Sequence, residues 1–510
     1  MKLPIDMGDF STYQIAGTVI VASILLFILH VRRRYTYWKS QGVPGPAPLF
    51  LMGNTFDGFG QPLHVTNFKN FQKYGPVYGV YNGLVPSLIC GDPEMLRNIC
   101  VKDFHAIPQS FNVVYLHPVE RNFLINIHGP KWKRIRSLVT PTFSSGKLKK
   151  MFELMKFCIT DAMSELEKMS TEDGSFNPKI FWGRYNMDLI ARCCFAVSFK
   201  AKDENDPLLR NFIEFFQGSP LKLLAIVTLP EWIVKLFRIS LFPGKNLDFL
   251  RKLTLQLIEN RKQAKNEAFN DFLQLLIDSR ADVEADENGT QNDIHSTDPP
   301  KQNRLTSEEI VSASVIFLVA GYETTSTLLT WVCYRLALNP DIQEKLYQEI
   351  ISTNIANYDD LISLQYLDAV LNETMRIDPP VAMFQRVPHH NYPVPGHDFV
   401  IPKGSLITIP TYSIHHDPKN YPNPELFDPD RFLPQNKELI KPFAFVPFGA
   451  GPRICIGMRF SLINAKLSLA TLLTKFRLVK ISETLEKPEY GLGTILLTTD
   501  KLRIGLERRD

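Results

Sequence analysis

The sequence predicts a mainly α-helical fold with small β-sheets, arranged as one large domain behind an N-terminal transmembrane helix. Three observations predict it: an apolar run lies near the N-terminus, hydrophobic residues recur with a helical period over long stretches, and strand signals are short and few. The helical pattern dominates from about Pro130 to Arg280 and returns at Thr306. A hairpin is indicated where the runs Val77 to Tyr81 and Leu84 to Ile89 are joined by Asn82-Gly83, a pair that favours a type I′ turn.

Composition places the chain among ordinary globular proteins. Of its 510 residues, 45% are hydrophobic and 22% are charged, so a large core can form without disulfide staples. The seven cysteines are odd in number and include no Cys-x-x-Cys pair, which argues against a disulfide framework or a zinc ribbon and for a reducing compartment. The net charge of +4 is too small to predict a nucleic-acid partner.

The N-terminal run predicts a membrane anchor. Residues 13–31 approach the ~20 apolar residues that span a bilayer, and three arginines follow at once. Because the basic flank stays in the cytoplasm, we expect the rest of the chain to face the cytosol. The predicted division is a short tail (1–12), the anchor (13–31), a basic, proline-rich hinge (32–53) and one large domain (54–510). A cleaved signal peptide is the alternative, but its charges should precede the apolar run.

Two segments of the large domain depart from this helical pattern. Leu221–Phe242 is very apolar but is interrupted by Pro230. It therefore predicts either a buried core helix or a pair of short helices that dip into the bilayer beside the anchor. Residues 281–303 are rich in Asp, Glu, Asn and Gln, and they predict an exposed, flexible loop.

A long helix is predicted after this loop. Thr306 and Glu309 form a capping-box pattern, and the apolar helical pattern continues to about Leu338. Because this helix is apolar nearly all round in its middle, we expect it to cross the interior. There, Glu323 and Thr324 place a carboxylate beside a hydroxyl, a pair that could hold water and relay protons. An ordinary solvated helix turn is the alternative.

Two further pairs of residues stand at helical spacing. Glu373 and Arg376 are three residues apart, and Trp132 and Arg136 are four apart, so the members of each pair project from one helix face. Taken alone, each pair predicts no more than a common surface contact.

The most specific segment is FGAGPRICIG, from Phe448 to Gly457. Three glycines crowd Cys455, so the backbone can take unusual φ angles and approach a flat partner closely. A helical pattern follows from about Met458 to Phe476, and a helix N-terminus lowers the pKa of a cysteine placed there. A thiolate in an otherwise apolar pocket predicts a metal ligand. The alternative is a buried structural cysteine in a glycine-rich turn.

This segment resembles the heme-binding signature F-x-x-G-x-R-x-C-x-G of the cytochrome P-450 family at every fixed position, and the resemblance extends over nearly the whole chain. It implies the cytochrome P-450 fold, with heme b (iron protoporphyrin IX) between the long helix and the Cys455 loop. Cys455 would be the iron ligand, and a thiolate ligand favours cleavage of the O–O bond. Thr324 would hold a proton-relay water and Glu323 would help to renew its protons.

The same resemblance implies roles for other residues. Pairing with the heme propionates is implied for Arg453, Trp132, Arg136 and Arg386, and the conserved signature adds three heme contacts: Phe448, Gly449 and Gly451. A structural role in holding the cysteine loop is implied for Glu373, Arg376 and Arg431. Position in the family pattern suggests six residues for the substrate pocket: Phe317, Ala320, Ala382, Met383, Phe384 and Ile495.

The implied reaction is insertion of one oxygen atom from dioxygen into an apolar substrate. The segment from Arg136 to Met151 resembles the animal microsomal branch that handles drugs and steroids, which also contains thromboxane synthase, so the sequence leaves the substrate open. The implied partners are membrane lipid, NADPH-cytochrome P-450 reductase and cytochrome b5, and the implied location is the endoplasmic reticulum membrane. Basic contacts for the reductase are expected from Lys131, Lys133, Arg134 and Arg459. The alternatives are a heme-thiolate isomerase or synthase acting on a peroxide, and a non-catalytic heme sensor.

Overall fold

The computed structural model describes residues 7–110, 117–172, 174–195, 197–198, 210–211, 214–215, 222, 225–226, 231–240, 242–263, 271–281, 304–492, 495–499 and 501–509. Its helices are α1 (Met7–Tyr35), α2 (Tyr37–Ser40), α3 (Leu63–Tyr74), α4 (Pro93–Arg97), α5 (Pro118–Arg121), α6 (Gly129–Val139), α7 (Ser145–Glu172), α8 (Pro178–Phe195), α9 (Glu231–Leu236), α10 (Gly244–Gln263), α11 (Phe272–Ala281), α12 (Ser307–Leu338), α13 (Pro340–Thr353), α14 (Tyr358–Ser363), α15 (Gln365–Ile377), α16 (Thr411–His415) and α17 (Met458–Lys475). Its strands are β1 (Val77–Asn82), β2 (Val85–Cys90), β3 (Ser175–Phe176), β4 (Phe384–Arg386), β5 (Tyr392–Pro393), β6 (Val400–Ile401), β7 (Ile407–Ile409), β8 (Phe476–Val479) and β9 (Ile504–Arg508). The predicted fold class, mainly helical with small sheets, is confirmed.

The strands form three small sheets. Antiparallel β1 and β2 continue into β7, which runs parallel to β2, and then into β4. A second sheet has the order β3-β9-β8, and β5 pairs with β6 alone. The predicted hairpin is present, but its turn is displaced by one residue, since Asn82 pairs with Val85 and the loop is Gly83-Leu84. Only Gly83 of these two has a positive φ, 56°, so the predicted type I′ turn is wrong and the geometry fits a type II′ turn.

Helix α12 is the central element of the fold. It begins as predicted, because the Thr306 hydroxyl accepts a hydrogen bond from the Glu309 N–H while the Glu309 carboxylate accepts one from the Thr306 N–H. It packs along α8 and also contacts α10, α15 and α17. Most of its residues are buried, which explains its apolar composition.

Helix α1 is exposed along its apolar length. Among the described residues, two helices are long and apolar enough to span a membrane, α12 and the segment Tyr13–Tyr35 of α1. The most apolar stretch of α12 is 61% buried in the protein, whereas that of α1 is only 6% buried. The α1 segment is therefore the candidate anchor, and α12 is an interior helix.

The predicted hinge is partly helical. Helix α1 continues through the three arginines to Tyr35, and α2 follows directly. The Trp38 ring lies against Gly79, where a Cβ would come within 2.3 Å of it, and the indole N–H donates to the Val80 carbonyl at 3.1 Å. The Tyr81 hydroxyl donates to the Tyr35 carbonyl at 3.0 Å. These contacts dock the end of α1 on the hairpin, so the first part of the hinge is ordered against the domain.

Two predicted features fall largely outside the described residues. Of the loop 281–303, Ala281 alone is described, as the last residue of α11. Within Leu221–Phe242, the described part includes α9, followed by Arg238 in a left-handed conformation with φ of 49°. Its apolar residues Trp232, Leu236 and Phe237 are exposed.

Candidate active site

A cavity of about 370 Å3 lies between α12 and the loop that precedes α17. Its wall is mainly apolar and combines residues from α6, α8, α11, α12 and β4 with the segment from Pro447 to Ser461. This volume falls in the range of sites for small molecules and cofactors. Cys455, Thr324, Arg136, Arg386 and Arg453 all line it, so the structure brings together predicted residues that are far apart in sequence.

The loop that carries Cys455 is shaped by its glycines. Gly449 and Gly451 have φ angles of 75° and 73°, a region that favours glycine. A Cβ on Gly451 would lie 1.9 Å from the Cys100 carbonyl oxygen, whereas one on Gly449 would meet no atom within 4 Å. The Cys455 N–H closes the loop by donating to the Phe448 carbonyl at 2.9 Å. Gly451 is therefore required by packing against Cys100, whereas Gly449 leaves the backbone uncovered at the cavity wall.

Cys455 is the one cysteine of the seven that is not buried, and it faces the cavity. Although the Cys455 side chain faces the open cavity, desolvation by the surrounding protein raises the pKa of its thiol, and the Gly457 and Met458 N–H groups and the Arg136 guanidinium lower it only in part. The expectation that the helix N-terminus alone would lower this pKa is therefore wrong, because desolvation disfavours the charged form more. A thiolate at this place requires a further positive partner.

Three arginines converge on the same cavity and bind backbone carbonyls. Arg453 donates to Pro108 at 2.5 Å and to Ile127 at 2.6 Å. The other two donate to carbonyls of the Cys455 loop, Arg136 to Ile454 at 2.8 Å and Arg386 to Ala450 at 3.4 Å. No ion pair with an acidic residue is found for any of the three among the described residues, and the buried Nε of Arg386 lacks a hydrogen-bond partner there.

The charges of these arginines disfavour one another. Burial lowers the pKa of Arg136 and of Arg386, and it lowers that of Arg453 to about 9, with Arg386 and Arg136 contributing in the same direction. The Trp132 ring stacks against the Arg453 guanidinium at 4.6 Å and also lines the cavity. One buried and two partly buried cations without acidic partners among the described residues, beside an apolar cavity, fit a flat apolar group that carries acid groups of its own. Heme b, with two propionates, is such a group.

The predicted proton-relay residues lie on α12, on different sides of its surface. Thr324 lines the cavity, and its hydroxyl donates to the Ala320 carbonyl at 2.6 Å. The Glu323 carboxylate is not in the lining. It pairs instead with the Lys179 ammonium of α8, at 2.6 Å. Gly321 leaves room chiefly for α8, because a Cβ there would lie 2.5 Å from Ile190 Cδ1.

The predicted structural pair of Glu373 and Arg376 is buried, and its two side chains are joined by hydrogen bonds. Arg376 donates to both carboxylate oxygens of Glu373, at 2.7 and 2.8 Å, and neither residue is exposed. Arg431 Nε lies 3.6 Å from Glu373 Oε1, as an ion pair without a hydrogen bond. Burial raises the pKa of Glu373, and the contact with Arg376 lowers it in part.

This pair is linked to the cysteine loop by a histidine that the sequence did not indicate. Arg376 donates to the His415 carbonyl at 3.0 Å, and the Val446 N–H donates to His415 Nε2 at 3.0 Å. Val446 stands just before the Phe448 to Gly457 segment. Burial, followed by His416 and Arg376, lowers the pKa of His415 to about 3, which keeps the ring neutral and able to accept this bond.

Half of the predicted pocket residues line the cavity. Phe317, Ala320 and Phe384 do. The other three do not: Ala382 is buried and donates its N–H to the Ile495 carbonyl, Met383 packs toward Asn67, and Ile495 is partly exposed. They were placed by chain position alone, and none of them lies in β4, from which Phe384 and Arg386 line the cavity. The missed wall residues include Ile190, Cys193 and Phe272, which come from elements far from any motif, and Phe143, which lies seven residues after Arg136.

The basic residues expected to meet a reductase differ in availability. Lys131, Lys133 and Arg459 are exposed. Arg134 already has partners within the protein, since it pairs with Glu309 at 2.5 Å and donates to the Arg304 carbonyl at 2.8 Å.

Comparisons with known proteins find relatives over nearly the whole chain. The cytochrome P-450 family model matches residues 43–506. Human cytochrome P-450 3A7 is 34% identical over 502 residues, covering 96% of each chain, and human cytochrome P-450 3A5 is 35% identical over 478 residues, covering 91% of each. Cytochrome P-450 3A56 of the fish Fundulus heteroclitus is 34% identical and covers 99% of this chain. Coverage this complete, together with a thiol and three arginines around one apolar cavity, shows that the chain belongs to the cytochrome P-450 family of heme b monooxygenases.

Proposed function

We propose that this chain is a membrane-anchored monooxygenase that inserts one atom of dioxygen into an apolar organic substrate, a steroid, lipid or xenobiotic, with electrons from NADPH. The observation that carries this proposal is the apolar cavity whose lining includes both Cys455 and Thr324. When bound, heme b supplies the activation of dioxygen that amino-acid side chains cannot provide.

The residues around the cavity would hold this group. Cys455 would ligate the iron, whose positive charge favours the thiolate that burial disfavours. Arg136, Arg386 and Arg453 would pair with the propionates, which would also relieve the repulsion among these three cations. Bare backbone at Gly449 allows the flat ring to approach the loop.

Cavity residues of α12 and β4 would position substrate and protons. Phe317, Ala320 and Phe384 offer an apolar surface that excludes water and favours apolar substrates. Because the Thr324 hydroxyl donates to the Ala320 carbonyl, its oxygen would be left to accept a hydrogen bond from a water, which it would hold in one orientation. Glu323 would renew the proton.

The redox partners follow from the basic surface near α6 and the start of α17. The exposed residues Lys131, Lys133 and Arg459 suit an acidic surface such as that of NADPH-cytochrome P-450 reductase, with cytochrome b5 as a second donor. Arg134, by contrast, stabilises the start of α12 and is omitted from this surface.

The anchor would place the domain at the cytosolic face of the endoplasmic reticulum membrane. Within Tyr13–Tyr35, an apolar and largely exposed run ends at Arg32, Arg33 and Arg34, the pattern of a span with a cytosolic flank. The exposed Trp232, Leu236 and Phe237 favour the interpretation in which the Leu221–Phe242 segment dips into the bilayer over a buried core helix. An apolar substrate dissolved in the bilayer would then lie close to the domain.

The test uses the full chain with reductase in lipid vesicles. Spectral titration with a panel of steroids, fatty acids and xenobiotics should find a binder, and that binder should raise NADPH consumption and yield a hydroxylated product. Conversion of an organic peroxide without NADPH would instead indicate an isomerase or synthase. Binding without turnover in either assay would indicate a sensor.

A further inference from the structure

Another buried ion pair lies at the end of α15, just beyond Arg376. The Arg335 guanidinium of α12 donates to both carboxylate oxygens of Asp378, at 2.6 and 3.0 Å, and the Tyr490 hydroxyl donates to one of them at 2.8 Å. The Asp378 side chain is fully buried, and that of Arg335 is 14% exposed. Burial lowers the pKa of Arg335, but its contacts, chiefly with Asp378, raise the pKa by more, so the guanidinium stays charged.

Arg335 extends the face of α12 that lines the cavity. Thr324 and Leu328 belong to the lining, and Trp331 and Arg335 follow at intervals of three and four residues, so all four lie on one side of the helix. Arg335 stands about three turns after Thr324, ~16 Å along the helix axis. Because α12 is continuous over this length, a group bound to Arg335 is held at a fixed distance from Thr324.

Two prolines join Asp378 directly to the cavity wall. Pro379 and Pro380 follow it in the chain, and Pro380 and Val381 line the cavity. Since each proline ring fixes its own φ angle, the backbone from Asp378 to Val381 has little freedom to bend. The position of the Asp378 carboxylate therefore decides where the Pro380–Val381 wall lies.

The Pro380–Val381 wall is also bound along its length, and this second contact leads back to α12. Val381 forms a β-bridge with Leu496, and the Leu497 N–H donates to the Pro380 carbonyl at 3.1 Å. The Leu497 carbonyl in turn accepts from the indole N–H of Trp331 at 2.6 Å. Neighbouring turns of one helix therefore hold this wall from two directions.

Stability alone does not account for a buried ion pair at this place. Removing two charges from water costs free energy that their attraction returns only in part, and apolar side chains of the same volume often stabilise a fold equally well. A planar guanidinium, however, meets a carboxylate in one bidentate geometry, and the Tyr490 hydroxyl adds a third bond to the same group. What these contacts supply beyond stability is a single position for Asp378.

We propose that Arg335, Asp378 and Tyr490 are positioning residues that fix the Pro380–Val381 wall relative to Thr324 and thereby give the cavity its selectivity among apolar ligands of different size. None of the three lines the cavity itself. This inference rests on the proposed function, in which an apolar substrate occupies this cavity.

The test is binding of imidazole and of 1-phenylimidazole to the ferric, full-length holoenzyme, followed by the shift in heme absorbance that nitrogen coordination causes. Both ligands offer the same nitrogen to iron, but only 1-phenylimidazole adds an apolar ring that an ordered wall can hold. Neither NADPH nor reductase is needed. Failure to find a product in the NADPH assay would remove the proposed function without deciding this measurement.

The main variant combines Arg335→Met, Asp378→Leu and Tyr490→Phe. It replaces the anchor by apolar groups and leaves none of its charges unpaired, so heme content and the urea midpoint of unfolding should change little. Affinity for 1-phenylimidazole should fall about three- to tenfold, because a wall that is no longer fixed has to be ordered on binding, and affinity for imidazole should stay the same. Arg335→Lys keeps a cation without the bidentate geometry and should give a smaller loss.

Two further variants serve as controls. Val381→Ala shortens the wall itself and should weaken the binding of 1-phenylimidazole alone. Arg509→Met with Glu344→Leu removes a partly buried ion pair that does not line the cavity, and it should alter neither affinity.

Three outcomes would overturn the positioning role. The first is a triple variant that binds both imidazoles as the wild type does. The second is equal weakening of both imidazoles in the triple variant, which would indicate a general loss of the heme site. The third is unchanged selectivity in Val381→Ala, since the wall would then not select among ligands.

Discussion

The wall that carries Cys455 and the wall that carries Thr324 face one cavity, but they are held by different kinds of contact. The cysteine wall is fixed by backbone: two glycines with positive φ, a closing bond from the Cys455 N–H to the Phe448 carbonyl, and arginines bound to carbonyls. The helix wall keeps its shape through α12, and Glu323, which adjoins this wall without lining the cavity, pairs with Lys179. Backbone contacts suit the single position that the proposed metal ligand needs, whereas the proposed proton carrier depends on a side-chain contact.

The largest effect is expected at the cysteine itself. Cys455→Ala should abolish the thiolate-type spectrum of the carbon monoxide complex while the arginines still favour heme uptake, because no other sulfur can take its place in the loop. Cys193→Ala is the matched control, since Cys193 also lines the cavity and its loss should leave the spectrum intact. Retention of the thiolate-type spectrum in Cys455→Ala would falsify the ligand assignment.

The next largest effect is expected on stability, from the buried Glu373–Arg376 pair that supports the cysteine wall. Glu373→Gln leaves the Arg376 charge buried without its carboxylate and should lower the free energy of unfolding by about 3–5 kcal/mol. Urea denaturation followed by circular dichroism and heme absorbance measures it. Lys345→Ala removes a half-exposed ion pair with Asp430 and should cost no more than about 1 kcal/mol. Equal losses in the two variants would mean that the cysteine wall does not depend on this pair.

A smaller effect should appear on acidification, through His415. Its pKa of about 3 in the folded state lies below the usual value of about 6.5, so the unfolded chain takes up a proton first and stability falls as the pH drops from 6.5 toward 3. His415→Gln keeps an acceptor for the Val446 N–H and removes the titrating ring. It should therefore leave stability at pH 7 nearly unchanged and recover about 3 kcal/mol at pH 4.

Unfolding free energies of both proteins between pH 7 and pH 4 give this comparison. His64 and His416, whose pKa values burial also lowers to about 4, remain in the variant, so part of the acid sensitivity should persist. If the two proteins lose stability in parallel, His415 does not carry the proton-linked change.

The two walls also differ in how far the sequence predicted them. The cysteine loop, the capping box of α12 and the Glu373–Arg376 pair each depend on residues that are close in sequence. The spacing of those residues was therefore enough to predict these features. His415, Lys179 and the wall residues Ile190 and Phe272 act across elements that are far apart in sequence. Spacing carries no information about such packing, which is why Ala382, Met383 and Ile495 were placed at the pocket by position and do not line it. The sign of the Cys455 pKa shift was missed for the same reason, since desolvation depends on the whole enclosure.

The smallest effect is expected on the helix wall, where one hydroxyl is removed and the fold is kept. Thr324→Ala should retain heme and substrate binding, but product formed per NADPH should fall roughly tenfold, as expected if the hydroxyl contributes about 1.4 kcal/mol to holding the relay water. The missing electrons should appear as peroxide, measured alongside NADPH consumption and product. Thr330→Ala is the control, because Thr330 lies on the same helix, donates to the Ser326 carbonyl and does not line the cavity. Equal coupling in the two threonine variants would place the proton supply elsewhere, whereas a loss confined to Thr324→Ala would support the Thr324 hydroxyl as the group that holds the relay water.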